Sequence, residues 1–377
     1  MIKVGITGQS GFVGTHLHNV MGLMKDEFER VPFEDAFFKD DKKLRVFVRN
    51  CDVIVHLAAM NRHIDDGVIY ETNMQLVKQL ISAMEAEEVA PHVLFSSSTQ
   101  EELDKGYGKS KREGRILFEK WAERSKGGFS GLVVPNVYGP FGKPDYNSFI
   151  GTFCYKLTHG EEPEIIEDNS VRLIYIWKLC SYIVKKIRLV KGVLQGVIEK
   201  DFVPFDLERK VSDILSQLKS FKDMYFDQGI IPELNDINDV NLFNTYRSYI
   251  DYENHFPVKL QKYADNRGIF VETLRLGVGG QVSFSTTVPE AIRGNHFHTR
   301  KVERFTVIKG KARIQLRRIG TDKVIDFYLD GKEPGYVDIP VWYTHNITNI
   351  GEEDLYTQFW INEWFNPKDG DTYFETV

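Results

Sequence analysis

Hydrophobic residues in the first half of the chain come in short unbroken runs separated by longer amphipathic stretches. "KVGITG", "DVIVHLAA", "HVLFSSS" and "GLVVPNVYG" have the composition of strands buried on both faces, while "VGTHLHNVMGLMK" repeats its apolar positions at helical spacing. Strands alternating with crossover helices predict a parallel sheet covered on both sides, a doubly wound α/β domain, over residues 1 to about 190. From about 196 to 252 the pattern is helical, as in "RKVSDILSQLKSFKDMY" and "NLFNTYRSYIDY". After Pro257 short alternating runs follow, punctuated by Gly, Pro and Asp: "GIFVETLRL", "GGQVSFSTTV", "RFTVIKGKARIQLRR", "VIDFYLDG", "GYVDIP", "HNITNI" and "LYTQFWIN". These predict an all-β sandwich or small barrel. The change falls in "DYENHFPV" (251–258), so the expected domains are 1–252 and 253–377.

The length agrees with that division, since 377 residues exceed one ordinary core. A net charge of −6 with no basic tract gives no support to nucleic-acid binding. No apolar run is long enough to span a bilayer, and "MIKVGITGQSGFVG" enters a strand with no leader pattern, so a soluble cytoplasmic protein is expected. Cys51, Cys154 and Cys180 are widely spaced, and read as buried small hydrophobes in a reducing compartment.

Gly8, Gly11 and Gly14 follow the first strand and open the first helical pattern. Glycines there let the backbone approach a pyrophosphate, whose charge then sits at a helix N-terminus. Farther on, Tyr107 and Lys111 stand four apart on one predicted helix face, nine residues beyond Ser98 at the end of a strand. A lysine cation beside a phenol favours the phenolate, and a serine hydroxyl on the strand end can hold a carbonyl oxygen beside it.

Together with "HLAA" (56–59) and "PNVYGP" (135–140), these residues resemble the extended short-chain dehydrogenase/reductase family over roughly the first 250 residues. The resemblance implies a Rossmann-type domain with Ser98, Tyr107 and Lys111 catalytic, Ser97 being the alternative serine. Gly8, Gly11, Phe12, Val13, Gly14, Leu57 and Ala58 would line the cofactor, with Lys111 also on the nicotinamide ribose. Asn136 would lie near the substrate. Two departures are a short segment between Ser98 and Tyr107, implying a trimmed loop over the substrate, and Val134 where the family often has arginine. At the end of the second strand "EFERVPFED" offers Arg30, Glu34 and Asp35, with the acidic pair placed past the strand end. The preferred cofactor is NADPH, chiefly by resemblance.

In the second half, His296 and His298 are two apart and so share a face if both lie on a strand. Glu303 reaches them only if Thr299–Lys301 turns the chain. His345, with Asn349 four beyond, follows in "PVWYTHNITN". Three imidazoles and a carboxylate suit Zn²⁺ or another first-row divalent ion. The string H-x-H-x₄-E-x₆-G followed by P-x₄-H-x₃-N resembles the two motifs of the cupin family, which implies a β-barrel with His296, His298, Glu303 and His345 as metal ligands. Trp342 stands where that family often has glycine, which would narrow the cavity or touch a sugar.

One chemistry employs both halves. A 4-ketone makes the adjacent C3–H of a sugar acidic, so a metal site can favour inversion at C3 before hydride reduces C4. The order is forced, because an alcohol at C4 no longer acidifies C3. With "NHFH", "IPVWYTHNI" and "FNPKDGDTYFETV" the chain as a whole resembles a family of two-domain capsular polysaccharide synthesis enzymes. That implies a homodimeric enzyme with NADPH and Zn²⁺, acting on UDP-2-acetamido-2,6-dideoxy-β-L-arabino-hexos-4-ulose. C3 epimerisation then reduction would give UDP-2-acetamido-2,6-dideoxy-β-L-talose, towards UDP-N-acetyl-L-fucosamine. "NSFIGTFCYKL" (147–157) shares that resemblance, with Phe149 and Phe153 read as core. The rival readings are a single-step NAD(P)-dependent epimerase or dehydratase with a non-catalytic cupin unit, and a sensing module on an inactive reductase. Tyr343 and Lys301 neighbour the ligand positions, and the acid and base at C3 are not assigned.

Overall fold

The computed structural model describes residues 1–377 except Asn147, residues 193–195 and Arg267. Two compact units emerge: Met1–Phe149 with Asn169–Lys210, and Ile150–Asp168 with Val211–Val377. The helical stretch 211–252, expected from sequence to belong with the first domain, packs with the second.

The first unit is built on β1 (Ile2–Thr7), β2 (Phe28–Val31), β3 (Val53–His56), β4 (His92–Ser98), β5 (Phe129–Val134) and, later in the chain, Ile198–Phe202. All pair in parallel, in the order β2-β1-β3-β4-β5 with Ile198–Phe202 at the far edge. Helices α1 (Phe12–Gly22), α2 (Asp41–Arg49), α3 (Asp66–Ala86) and α4 (Gly106–Ser125) supply crossovers. This is a Rossmann-type sheet, and its strand order reverses between β1 and β3, where such sheets open a crevice at their carboxyl ends. Below that crevice Phe33, Phe47, Phe95, Phe118, Trp121 and Phe129 form one buried cluster. Each such ring removed from water contributes about 1.5–3 kcal/mol, so the floor under the strand ends is rigid. "GLVVPNVYG" divides at Pro135: β6 (Asn136–Tyr138) leaves the main sheet and pairs with β7 (Ser170–Tyr175) in a separate three-stranded sheet. Naming the later strands in order, Ile198–Phe202 is β8 and Leu207–Lys210 is β9.

The second unit carries α5 (Phe149–Thr158, from Ile150 onward), then α7 (Val211–Phe221) and α8 (Ile237–Arg247); α6 (Ile176–Val190) belongs to the first. Its strands are β10 (Val258–Lys259), β11 (Lys262–Asp265), β12 (Gly268–Val271), β13 (Gln281–Thr287), β14 (Ile292–Phe297) and β15 (Glu303–Lys309). There follow β16 (Lys311–Arg318), β17 (Val324–Asp330), β18 (Gly335–Ile339), β19 (Tyr343–Asn349), β20 (Leu355–Ile361) and β21 (Tyr373–Phe374). Two antiparallel five-stranded sheets form, β10-β18-β15-β20-β13 and β17-β16-β19-β14-β21, with β11-β12 as a separate hairpin. This double-sheet arrangement is cupin-like.

A buried ion pair fastens the helical stretch to that barrel. Arg304 donates to both oxygens of Asp338 at 2.7 and 2.9 Å, the Tyr225 hydroxyl donates to Asp338 at 2.7 Å, and Arg247 donates to the Ile339 carbonyl at 2.9 Å. Removing one partner would strand a buried charge, which costs about 3–5 kcal/mol. Local sequence pattern cannot reveal such a tie, and it is why residues 211–252 side with the barrel. Phe153 is buried, in keeping with a packing role; Asn147 of the same sequence segment lies outside the described residues.

Candidate active site and candidate metal centre

The glycine loop is shaped by contacts only glycine tolerates. Gly8 has φ +69°, and a Cβ there would lie 2.7 Å from the Ala58 nitrogen; a Cβ on Gly14 would lie 2.2 Å from the Gly8 carbonyl. The loop therefore rests directly on Leu57 and Ala58 at the end of β3. Gly11 caps α1 without a side-chain hydrogen bond and the first turn carries no acidic residue, so Phe12, Val13 and Gly14 present an open helix N-terminus suited to a pyrophosphate. Beneath the loop, Thr7 hydrogen-bonds His56 at 2.7 Å, and burial drives that imidazole down to about 3, so it is neutral packing between Phe95 and Phe118. Arg30 donates to the His18 carbonyl, turned back under α1, whereas Asp35, past the end of β2, accepts from Ser10 of the loop at 2.6 Å.

Ser98 ends β4, while Tyr107 and Lys111 lie in the first turns of α4, where Lys111 reaches back to β4. The Ser97 hydroxyl donates to buried Glu101 at 2.7 Å and is thereby committed. Ser98 accepts from the Gln100 N–H at 3.2 Å, leaving its own proton to donate. Lys111 is buried, donates to the Ser96 carbonyl at 2.7 Å, and sits 5.5 Å from the Tyr107 ring centre. The expectation that lysine would favour the phenolate is not met here. Burial pushes Tyr107 up to about 12, with Tyr146 adding to it, and the same desolvation lowers Lys111 to about 7. A phenol so placed is a proton donor at neutral pH, the state ketone reduction requires. Asn136 is exposed at the start of β6, and Val134 is buried.

In the barrel, the structure gathers His296, His298, Glu303 and His345, whose ligand atoms all lie within 4.8 Å of one another. They do not share one strand. A bulge between Gly294 and His296 sets His296 across from His345 on β19, His298 lies beyond the end of β14, and Thr299–Lys301 turns the chain so that Glu303 opens β15 in the facing sheet. His298 Nδ1 faces the carbonyl of Asp371 and His345 Nδ1 that of Tyr343. A carbonyl only accepts, so both rings carry their proton on Nδ1 and point the Nε2 lone pair inward. Those two nitrogens lie 3.0 and 3.4 Å from Glu303 Oε2, and none of the three buried atoms makes a hydrogen bond. Burial alone would raise Glu303; positive charge on the imidazoles, His298 foremost, holds it down to about 2. With the rings neutral and their Nε2 lone pairs inward that charge is missing, and a cation among the acceptors would supply it. Acceptors crowded around an ionised carboxylate, dry and without a donor, fit a divalent cation.

Trp342 takes φ +62°, the left-handed conformation that glycine adopts most readily. Its ring is buried against Phe297, their centres 5.5 Å apart, so its observed role is packing. Lys301 is buried and donates to the Gly370 carbonyl; Tyr343 stacks on Tyr252 at 6.0 Å. Cys154 and Cys180 are buried, Cys51 partly so, and all three are free thiols.

The NAD dependent epimerase/dehydratase family matches residues 4–177, and the polysaccharide biosynthesis C-terminal domain matches residues 263–373. Over 373 residues, 99% of this chain and 98% of the relative, the sequence is 30% identical to the UDP-2-acetamido-2,6-beta-L-arabino-hexul-4-ose reductase of Pseudomonas aeruginosa. The crystal structure of capsular polysaccharide assembling protein CapF from Staphylococcus aureus aligns at a TM-score of 0.62 and 32% identity, with both chains covered in full. The chain belongs to the CapF family. RMD from Pseudomonas aeruginosa, solved with NADPH, shares the fold alone, at 18% identity and a TM-score of 0.51 over 59% of this chain and 84% of that one. Membership of the CapF family makes this a sugar-nucleotide oxidoreductase with a nicotinamide cofactor, and accounts for the two units in one chain. Among the described residues no helix is long and apolar enough to cross a membrane.

Two residues escaped the sequence reading. Glu101 accepts the hydrogen bond of Ser97 and so sets it apart from Ser98, and Asp371 reaches the His/Glu cluster across 73 residues. No spacing rule points to either. Asp371 sits in "FNPKDGDTYFETV", which stood out only as a resemblance.

Proposed function

We propose that this chain is a bifunctional enzyme of capsule or surface polysaccharide biosynthesis. The cupin-like unit epimerises C3 of UDP-2-acetamido-2,6-dideoxy-β-L-arabino-hexos-4-ulose; the reductase unit then reduces C4 to give UDP-2-acetamido-2,6-dideoxy-β-L-talose, towards UDP-N-acetyl-L-fucosamine. The observation that carries this reading is full-length likeness to a reductase of a UDP-linked 4-ketosugar, in a chain whose barrel also gathers four metal-ligating side chains.

His296, His298, Glu303 and His345 would hold the ion, read as Zn²⁺. When bound, such an ion supplies electrophilic stabilisation to charge developing on the ketone oxygen as the C3 proton leaves. In the first unit Gly8, Gly11, Phe12, Val13, Gly14, Leu57 and Ala58 cradle a nicotinamide dinucleotide, read as NADPH, whose chemistry is hydride donation. Ser98 holds the C4 oxygen with its free hydroxyl proton, and Tyr107 delivers the phenolic proton to that oxygen. Lys111 positions the nicotinamide ribose and keeps a cation beside the phenolate left behind. Asn136 contacts the sugar nucleotide.

On the cofactor a second reading has a specific support: Asp35 beside Ser10 is a carboxylate of the kind that holds a ribose 2′-hydroxyl and repels a 2′-phosphate. Saturation of the reductase with NADPH and with NADH decides between them. We also infer a homodimer. Edge strand β13 leaves Val282 and Phe284 57% and 73% exposed, an apolar edge that invites a second copy, and sedimentation equilibrium tests it.

The decisive experiment incubates the protein with the 4-ketosugar in deuterium oxide without NADPH and examines C3. Label at C3, followed by reduction when NADPH is added, is the expected result. Reduction without prior exchange would leave a single-step reductase.

A further inference from the structure

Asp371 is a buried carboxylate that no part of the proposed chemistry uses, and it sits against the turn between two of the four clustered side chains. It is 5% exposed and adopts φ +38°, a conformation that non-glycine residues hold only when surroundings impose it. Its carboxylate accepts the Thr299 hydroxyl at 2.6 Å and the N–H groups of Thr299 at 3.1 Å, Arg300 at 3.0 Å and Lys301 at 3.2 Å. Its own backbone carbonyl accepts from His298 Nδ1. One residue thus shapes the turn that swings Glu303 towards the imidazoles and also sets the tautomer of His298. Gly370 takes the Lys301 ammonium, and Asn244 donates to the Arg300 carbonyl at 2.8 Å from the other side.

We propose that Asp371 is a positioning residue of the metal centre: it prepays the ordering of the His298-to-Glu303 turn and holds the His298 Nε2 lone pair on the cation. The proposal rests on the reading of His296, His298, Glu303 and His345 as a metal site. Three consecutive N–H groups closing on a carboxylate leave that turn little freedom, so the entropy of arranging it is spent in folding rather than in metal binding. Loss of an outer partner of a metal ligand typically weakens binding about 10–100-fold.

The test uses the full-length protein, stripped of metal with a chelator and titrated with Zn²⁺ against a chromophoric chelator, then with Co²⁺ for its visible spectrum. Wild type, Asp371→Ala, Asp371→Asn and His345→Ala are compared, with circular dichroism as the folding control. Asp371→Ala keeps the backbone carbonyl that faces His298 and removes the carboxylate that closes the turn, so it is expected to weaken Zn²⁺ by about tenfold, the lower end of that range, and to alter the Co²⁺ bands. Asp371→Asn, which keeps an acceptor for Thr299, should recover part of that loss. Wild-type affinity in Asp371→Ala, with binding lost in His345→Ala, overturns the positioning role alone. Retention of Zn²⁺ by His345→Ala instead overturns the metal reading beneath it. If Asp371→Ala loses its sheet signature, Asp371→Asn and Thr299→Val carry the test, and affinities within about twofold of wild type in both overturn the proposal.

Discussion

The two sites solve opposite electrostatic problems. At the carboxyl edge of the parallel sheet a cation, Lys111, is buried against a carbonyl instead of a carboxylate, and desolvation pulls it down to about 7. In the barrel a carboxylate, Glu303, is buried among three imidazoles, and stays ionised only with positive charge beside it. Each carries an unbalanced burial; in the proposed function a metal ion would relieve that of Glu303, and the phenolate left on Tyr107 after proton transfer would relieve that of Lys111. Sites prepared in this way cost folding free energy and return it on binding.

That contrast can be broken from either end. The largest effect is expected for His345→Ala, which removes a buried ligand: metal content measured by atomic emission should fall to background, and C3 deuterium exchange should cease. Exchange surviving without metal would take the cation out of the epimerisation. Next, Tyr107→Phe should slow ketone reduction by about 10²–10⁴-fold, the usual worth of a positioned proton donor, while C3 exchange proceeds as in wild type. Parallel loss of both activities would mean that the two sites are not separate.

A smaller effect concerns stability. Lys111 has a folded value near about 7 against an ordinary 10.5, so between those limits the unfolded chain binds the extra proton. Native stability therefore rises with pH across that window and is penalised below it. Lys111→Met is expected to raise the melting temperature of the cofactor-free protein at pH 6, with the gain shrinking as pH approaches 10. A melting temperature lowered equally at every pH would show that the Ser96 hydrogen bond outweighs the desolvation. The smallest change is expected for Asp35→Ala, which should raise the affinity for NADPH relative to NADH by less than about tenfold, since the carboxylate is exposed. Isothermal titration with both cofactors measures it, and no shift would place Asp35 outside the adenosine pocket.

The first site was legible in the sequence because its parts are local. A glycine loop between strand and helix, and Tyr107 with Lys111 one helical turn apart, obey spacing rules that hold in any tertiary setting. Even there the protonation argument went astray, because neighbouring charge can be read from a motif but burial cannot. The barrel was legible in composition and not in construction. His296 and His298 were expected on one strand face; a bulge with Gly294 and Asn295 at positive φ, and the end of β14, place them by different means.

By itself the chain of residues determined the class of each half, the positions of the glycine loop and of the Tyr107/Lys111 pair, and the four side chains of the cluster. Those follow from periodicity and donor chemistry, which are local properties. Only the tertiary structure decided that Ser97 is spent on Glu101, that residues 211–252 are tied to the barrel through Asp338, and that Asp371 closes on the His298 turn. Each joins groups distant in sequence or differing in burial, and neither distance nor desolvation is written in any short stretch of chain.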